Sequence, residues 1–176
     1  MTLQTQYAAQ ARLVLQESNI KDGAMEYSVY LAGRIANLTY DEAMASREAI
    51  IHKLTEAGIM CRTPLRGRQY KSGRITSETF TNGFTIQEII GRDLNDIDRS
   101  DAVVILTGDD ASWGTAGEFY YATWVVKKPT LVIAKNHVGG WVEHFATRIV
   151  PDIDSTIEVL LGWKHYWNGD GKYDTR

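Results

Sequence analysis

Short apolar runs alternate along this chain with longer segments whose apolar residues recur every three to four positions. The runs at 27–32, 59–62, 101–106 and 129–134 have strand length, and glycine, proline or charge bounds them: Gly33-Arg34 after the first and Pro64 after the second. A fifth short run, 148–153, contains Pro151, which would confine it to a sheet edge. Between them lie helical patterns. Residues 41–57 carry Ala45, Ala49, Ile50 and Leu54 and stop at Gly58. Residues 85–97 carry Ile86, Ile89, Ile90, Leu94 and Ile97 on one stripe. Further helices are predicted at 114–127 and 155–161. An amphipathic helix at 4–17 and a polar linker at 19–26 precede the first strand.

Strands alternating with helices predict a mostly parallel sheet covered on both faces. About five strands fit a flavodoxin-like, doubly wound α/β fold with an extra N-terminal helix. The expected organisation is a helix and linker at 1–26, one domain at 27–163 and a polar tail at 164–176. The chain's 176 residues suffice for one full core. Its charged fraction of 23% is ordinary for a globular domain, and a net charge of −3 argues against polymeric nucleic acid as partner. The one cysteine, Cys61, sits in an apolar run and reads as a small core residue. No disulfide can form within the chain, and no run has the length of a membrane span or a signal-peptide core. The expectation is a soluble cytoplasmic protein. His52, His137 and His165 stand apart from any Cys/His/acid cluster, so neither metal nor cofactor is expected.

Three features carry candidate chemistry. Residues 65–83 hold Arg66, Arg68, Lys71 and Arg74 between glycines, either a functional loop or a solvated charged segment. Asp93 falls inside the apolar stripe of the 85–97 helix, with Asp96 near its edge. A carboxylate there is costly without partners, so Asp93 either belongs to a site or pairs with an arginine near the helix end. Ser112-Trp113-Gly114-Thr115-Ala116-Gly117-Glu118 follows the third strand and opens the next helix. Ligands of open α/β sheets bind beyond the carboxyl ends of the strands. Glu118 is therefore either a working carboxylate at the sheet's mouth or an acid that only favours a helix N-terminus. Read as a first-turn residue, its pKa should be lowered by the helix dipole, while burial should raise that of Asp93. Such a split between two carboxyls suits cleavage of a glycosidic bond.

Tyr30-Leu31-Ala32-Gly33, Asp93-Leu94-Asn95-Asp96-Ile97, Ser100-Asp101, Gly114-Thr115-Ala116-Gly117-Glu118 and Lys128-Pro129 together resemble the nucleoside 2-deoxyribosyltransferase family. Order and spacing agree over about residues 27–162. The resemblance implies a flavodoxin-like fold and cleavage of the N-glycosidic bond of 2′-deoxynucleosides through a covalent deoxyribosyl-Glu intermediate. A second nucleobase, or water, then takes the sugar. Glu118 would be the nucleophile, Asp93 would contact and help protonate the base, and Tyr30 would orient Glu118. Gly33, Arg34, Ser112, Trp113 and Gly114 would line the substrate site. Family members form dimers or hexamers whose neighbouring subunit completes each site, and the supplied position falls near His144.

Two positions depart from the transferase pattern. An Asp expected six residues before the nucleophile is Ser112, and the neighbour-supplied Asn is replaced by His144. Related hydrolases of deoxynucleoside 5′-monophosphates have serine at the first position. A hydroxyl with glycine amides can cradle a phosphate that a carboxylate would repel, and Arg34 or the basic loop could reach it. Asp109 and Asp110 could replace the missing Asp. Trp113 either stacks on the base or covers an apolar edge. Three functions stand open: base-exchanging transferase, nucleotide N-hydrolase and non-catalytic nucleotide-binding module.

Overall fold

The computed structural model describes residues 27–66, 73–76, 84–108 and 112–166. The helix expected at 4–17, its linker, Arg68, Lys71, Asp109 and Asp110 lie outside them.

The chain runs β1 (Ser28–Gly33), α1 (Tyr40–Glu56), β2 (Met60–Arg62), α2 (Ile86–Asp98), β3 (Ala102–Leu106), α3 (Trp113–Tyr120), a π-helical turn (Tyr121–Val125), β4 (Thr130–Ile133), α4 (Gly140–Phe145), β5 (Arg148–Val150) and α5 (Ile153–His165). The five strands form one sheet in the order β2-β1-β3-β4-β5, every pair parallel. This is the flavodoxin-like order. Strand β5 lies at an edge, where Pro151 costs no ladder bond.

All six residues of β1 are buried, because helices cover a parallel sheet on both sides. Alternation then assigns its side chains. Val29 and Leu31 pack with Ile50, Ile51 and Leu54 of α1 and Leu160 of α5. Tyr30 and Ala32 pack on the other face with Ile97 of α2 and Ala122 of the π-helical turn. Capping boxes fix the starts of α1 (Thr39 with Glu42) and α2 (Thr85 with Glu88). Gly58, at φ +63, ends α1 as expected, and Lys164 of α5 donates to the carbonyls of Ala57 and Gly58 at 3.2 and 2.8 Å.

The structure differs from the pattern-based reading at three places. The segment 140–145 is a helix that the pattern did not indicate. The 114–127 helix starts one residue early and changes to a π-helical turn at Tyr121. The last helix, expected at 155–161, runs from Ile153 to His165, and the strand expected at 148–153 ends at Val150.

The strand order reverses direction between β1 and β3. Their carboxyl ends are adjacent, with Gly33 opposite Leu106. This switch point puts Gly33-Arg34 and the approach to Ser112 beside one crevice.

Candidate active site

Tyr30 is fully buried at the centre of the sheet, paired across the ladder with Val103 and Arg62. Its hydroxyl donates to Glu118 Oε1 at 2.6 Å, joining residues 88 positions apart. Burial, then the charges of Glu118 and Asp93, hold the phenol well above its ordinary value. Tyr30 is therefore a neutral donor at physiological pH.

Glu118 does not stand in the first turn of its helix. Ser112 caps α3 and Trp113 opens it, so Glu118 falls in the second turn. The dipole's influence fades beyond the first turn. The expected lowering of its pKa is replaced by the opposite: burial pushes the half-buried carboxyl up to about 7. The Tyr30 hydrogen bond opposes this, the Asp93 charge adds to it, and the Arg47 guanidinium opposes it. At neutral pH, Glu118 is close to half ionised.

Asp93 is 8% exposed on the sheet-facing stripe of α2. It is both buried and paired: Arg92 donates to Oδ1 from Nη2 at 2.6 Å and from Nε at 3.1 Å. The same guanidinium reaches the carbonyls of Pro64 at 2.7 Å and Arg66 at 3.3 Å. Asp96, which the stripe placed at its edge, is buried too, and Arg66 Nη2 lies 2.7 Å from both its oxygens. The described arginines of the 65–83 segment thus serve the fold. Arg66 holds Asp96, and Arg74 donates to the Asn37 carbonyl at 2.5 Å.

A cavity of about 1340 Å³ opens beyond the carboxyl ends of β3 and β4. Arg34, Ser112 and Trp113 line it, while Tyr30, Gly33, Asp93, Gly114, Glu118 and His144 are not among its lining residues. Thr115, Ala116 and Phe119 of the helix that carries Glu118 do line the space. The Thr115 hydroxyl is buried without a hydrogen-bond partner. Ser112 Oγ accepts from the Thr115 amide at 3.4 Å, so this serine caps the helix that carries Glu118. Arg34 Nε donates to the Ala36 carbonyl at 3.2 Å. Trp113 is 94% exposed and covers no apolar edge. His144 is exposed on α4 with its ring edge against Phe145.

The sequence reading missed two groups. One is an aromatic wall: Trp141 stacks on Phe145 at 5.6 Å, and both line the cavity. Their spacing of four residues was the available signal. The other is Arg47, fully buried on the apolar face of α1 at the back of Gly33. A β-carbon on Gly33 would lie 3.0 Å from Arg47 Nη2 and 3.1 Å from Leu106 Cβ, so close approach rather than an unusual φ demands glycine here. Among the described residues no group of His, Cys, Asp and Glu could hold a metal ion, and no helix is long and apolar enough to cross a membrane.

The sequence matches no protein-family model and no curated protein. Solved structures do match. A 2-deoxyribosyltransferase from the psychrotolerant bacterium Bacillus psychrosaccharolyticus superposes with a TM-score of 0.57 at 17% identity, covering 76% of this chain and 95% of its own. A conserved protein of Enterococcus faecalis V583 gives 0.57 at 14% identity, covering 79% and 99%. A CMP N-glycosidase of Clostridium botulinum gives 0.49 at 16% identity, covering 76% and 97%. This chain therefore has the flavodoxin-like fold that a solved 2-deoxyribosyltransferase also has.

Proposed function

We propose that this chain is an enzyme of the nucleoside 2-deoxyribosyltransferase kind. It cleaves the N-glycosidic bond of a 2′-deoxynucleoside and passes the deoxyribosyl group to a second nucleobase. The observation that carries this reading is the 2.6 Å Tyr30–Glu118 hydrogen bond, made on a buried sheet face where a second carboxylate, Asp93, acts on Glu118. A carboxyl positioned by a buried donor and poised near neutrality is suited to attack carbon. The likeness of fold to a 2-deoxyribosyltransferase supports it.

In this mechanism the ionised Glu118 attacks C1′ as the C1′–N bond breaks. The bonding pair leaves with the base, which takes a proton from solvent as it departs, while Asp93, paired with Arg92, contacts the base. Tyr30 holds Oε1, fixing the carboxylate for attack through its other oxygen. The incoming base then attacks C1′, displaces Glu118 and releases its N–H proton to solvent. Trp113 and Trp141, exposed at the cavity, offer faces on which a base can stack. Trp113, Trp124 and Trp141 are all more than half exposed. That fits a homo-oligomer in which a neighbouring copy brings His144 to the site. No cofactor is required, and the partners are a nucleoside or nucleotide and a free nucleobase.

One observation favours a second reading, hydrolysis of a 2′-deoxynucleoside 5′-monophosphate with water as acceptor. Ser112 caps α3 at the cavity, and Arg34 lines the same space. A hydroxyl and a guanidinium there suit a phosphate. Incubation with a deoxynucleoside, then with its 5′-monophosphate, each with and without a free acceptor base, separates the readings by chromatography. Base exchange supports the transferase. Free base released from the monophosphate without acceptor supports the hydrolase. Binding without turnover refutes both in favour of a non-catalytic module.

A further inference from the structure

Arg47 is the largest fully buried side chain, yet no ion pair among the described residues includes it. Its neighbours on α1 are Ala43, Met44, Ile50, Ile51 and Leu54, all buried, where a methionine or leucine would pack without burying a charge. The guanidinium spends its donors on carbonyls instead. Nη2 donates to Gly33 at 2.6 Å, and Nη1 to Ala43 at 2.8 Å and Arg34 at 3.3 Å, with Ser46 Oγ at 3.1 Å. Nε has no partner. Two of these carbonyls, Gly33 and Arg34, end β1 at the switch point. Three residues earlier on the same strand is Tyr30, which holds Glu118. A buried polar group that breaks the packing rule beside a site is often retained for the site.

We propose that Arg47 is a positioning residue for Glu118: it pins the carboxyl end of β1, and thereby Tyr30, and supplies a fixed positive charge within electrostatic reach of the nucleophile. The inference rests on the functional reading above. The charged and titratable groups that face Glu118 are Tyr30 from β1, Asp93 from α2 and Arg47 from α1. Strand β3 brings only Ala102-Val103-Val104-Ile105-Leu106. Arg47 is thus the one cation in that set. It opposes the desolvation that favours the protonated carboxyl, leaving a usable carboxylate fraction at neutral pH.

The test uses Arg47→Met and Arg47→Lys in the full chain. The carboxyl titration of Glu118 is followed by NMR of ¹³C-labelled glutamate, assigned by Glu118→Gln. In Arg47→Met, a folded protein is expected whose Glu118 midpoint rises by about one pH unit, with kcat/KM at neutral pH falling about five-fold and recovering at higher pH. In Arg47→Lys, which keeps the charge but not the bridge between carbonyls, a midpoint near that of the wild type and a raised KM are expected. An unchanged midpoint in Arg47→Met overturns the proposal. So does failure of Arg47→Met to fold together with a wild-type midpoint and KM in Arg47→Lys, because that result assigns Arg47 to the fold alone. The titration needs no turnover, so a wild-type protein without activity refutes the functional reading and leaves this measurement standing.

Discussion

Replacing Glu118 by glutamine should stabilise the protein, and only above mildly acidic pH. Burial holds the folded-state carboxyl at about 7, against 4.5 for a carboxyl in open solvent. The folded state therefore binds the Glu118 proton more tightly than the unfolded state does. That contribution to stability is complete below about pH 4.5 and is lost as pH rises through about 7. The gap, at ~1.4 kcal/mol per pH unit, amounts to about 3 kcal/mol above pH 8 or so. This is an upper value, because the residue is half-buried and water screens part of it. Glutamine keeps the shape and still accepts from Tyr30, yet has no charge to bury. For a chain of this size the difference corresponds to a Tm gain of roughly 6–12 °C in alkaline buffer and about none near pH 4. Scanning calorimetry of both proteins at several pH values measures it. A difference independent of pH, or a less stable glutamine variant at high pH, would refute the assignment of Glu118 as a desolvated acid.

Other outcomes follow from the same geometry. The acid limb of kcat/KM should have its midpoint near 7, where Glu118 becomes ionised, and a limb near 4.5 would contradict this. Tyr30→Phe removes a bond that favours the ionised carboxyl, so the limb should move to higher pH while the fold survives; an unmoved limb counts against the orienting role. Asp96→Ala strands the Arg66 guanidinium and should cost about 1–2 kcal/mol in urea unfolding, an allowance for Arg66 being partly exposed. Light scattering should show an oligomer whose dissociation on dilution lowers specific activity; a fully active monomer would exclude shared sites.

Much of the architecture was legible because parallel strands covered on both faces are continuous apolar runs, as in Ala102-Val103-Val104-Ile105-Leu106. Helix α4 was not. It has six residues, no side-chain cap and a start at Gly139 with φ +88, so neither periodicity nor a capping residue marks it. The start of α3 was obscured by Gly114 and Gly117, poor helix formers that the Ser112 cap nevertheless carries into helix. The sign of the Glu118 pKa shift was missed for another reason: burial, which the local pattern does not show, outweighs any effect of the helix end. The Tyr30–Glu118 contact joins a strand and a helix that only the sheet brings together, and no local pattern encodes it. Arg47 was visible on the apolar side of α1, four residues from Ala43 and three from Ile50. What it holds depends on the end of β1, which periodicity alone does not locate.

The central claim is a transient bond between Glu118 and a sugar. It is tested most directly by incubating the protein with a 2′-deoxy-2′-fluoro-arabinonucleoside, whose fluorine slows release of the sugar, and mapping the digested protein by mass spectrometry. The expected result is an adduct of the sugar's mass on the peptide that contains Glu118, absent from Glu118→Ala and discharged by a free acceptor base. Turnover of the natural substrate with no adduct there, or an adduct on another residue, would contradict the account.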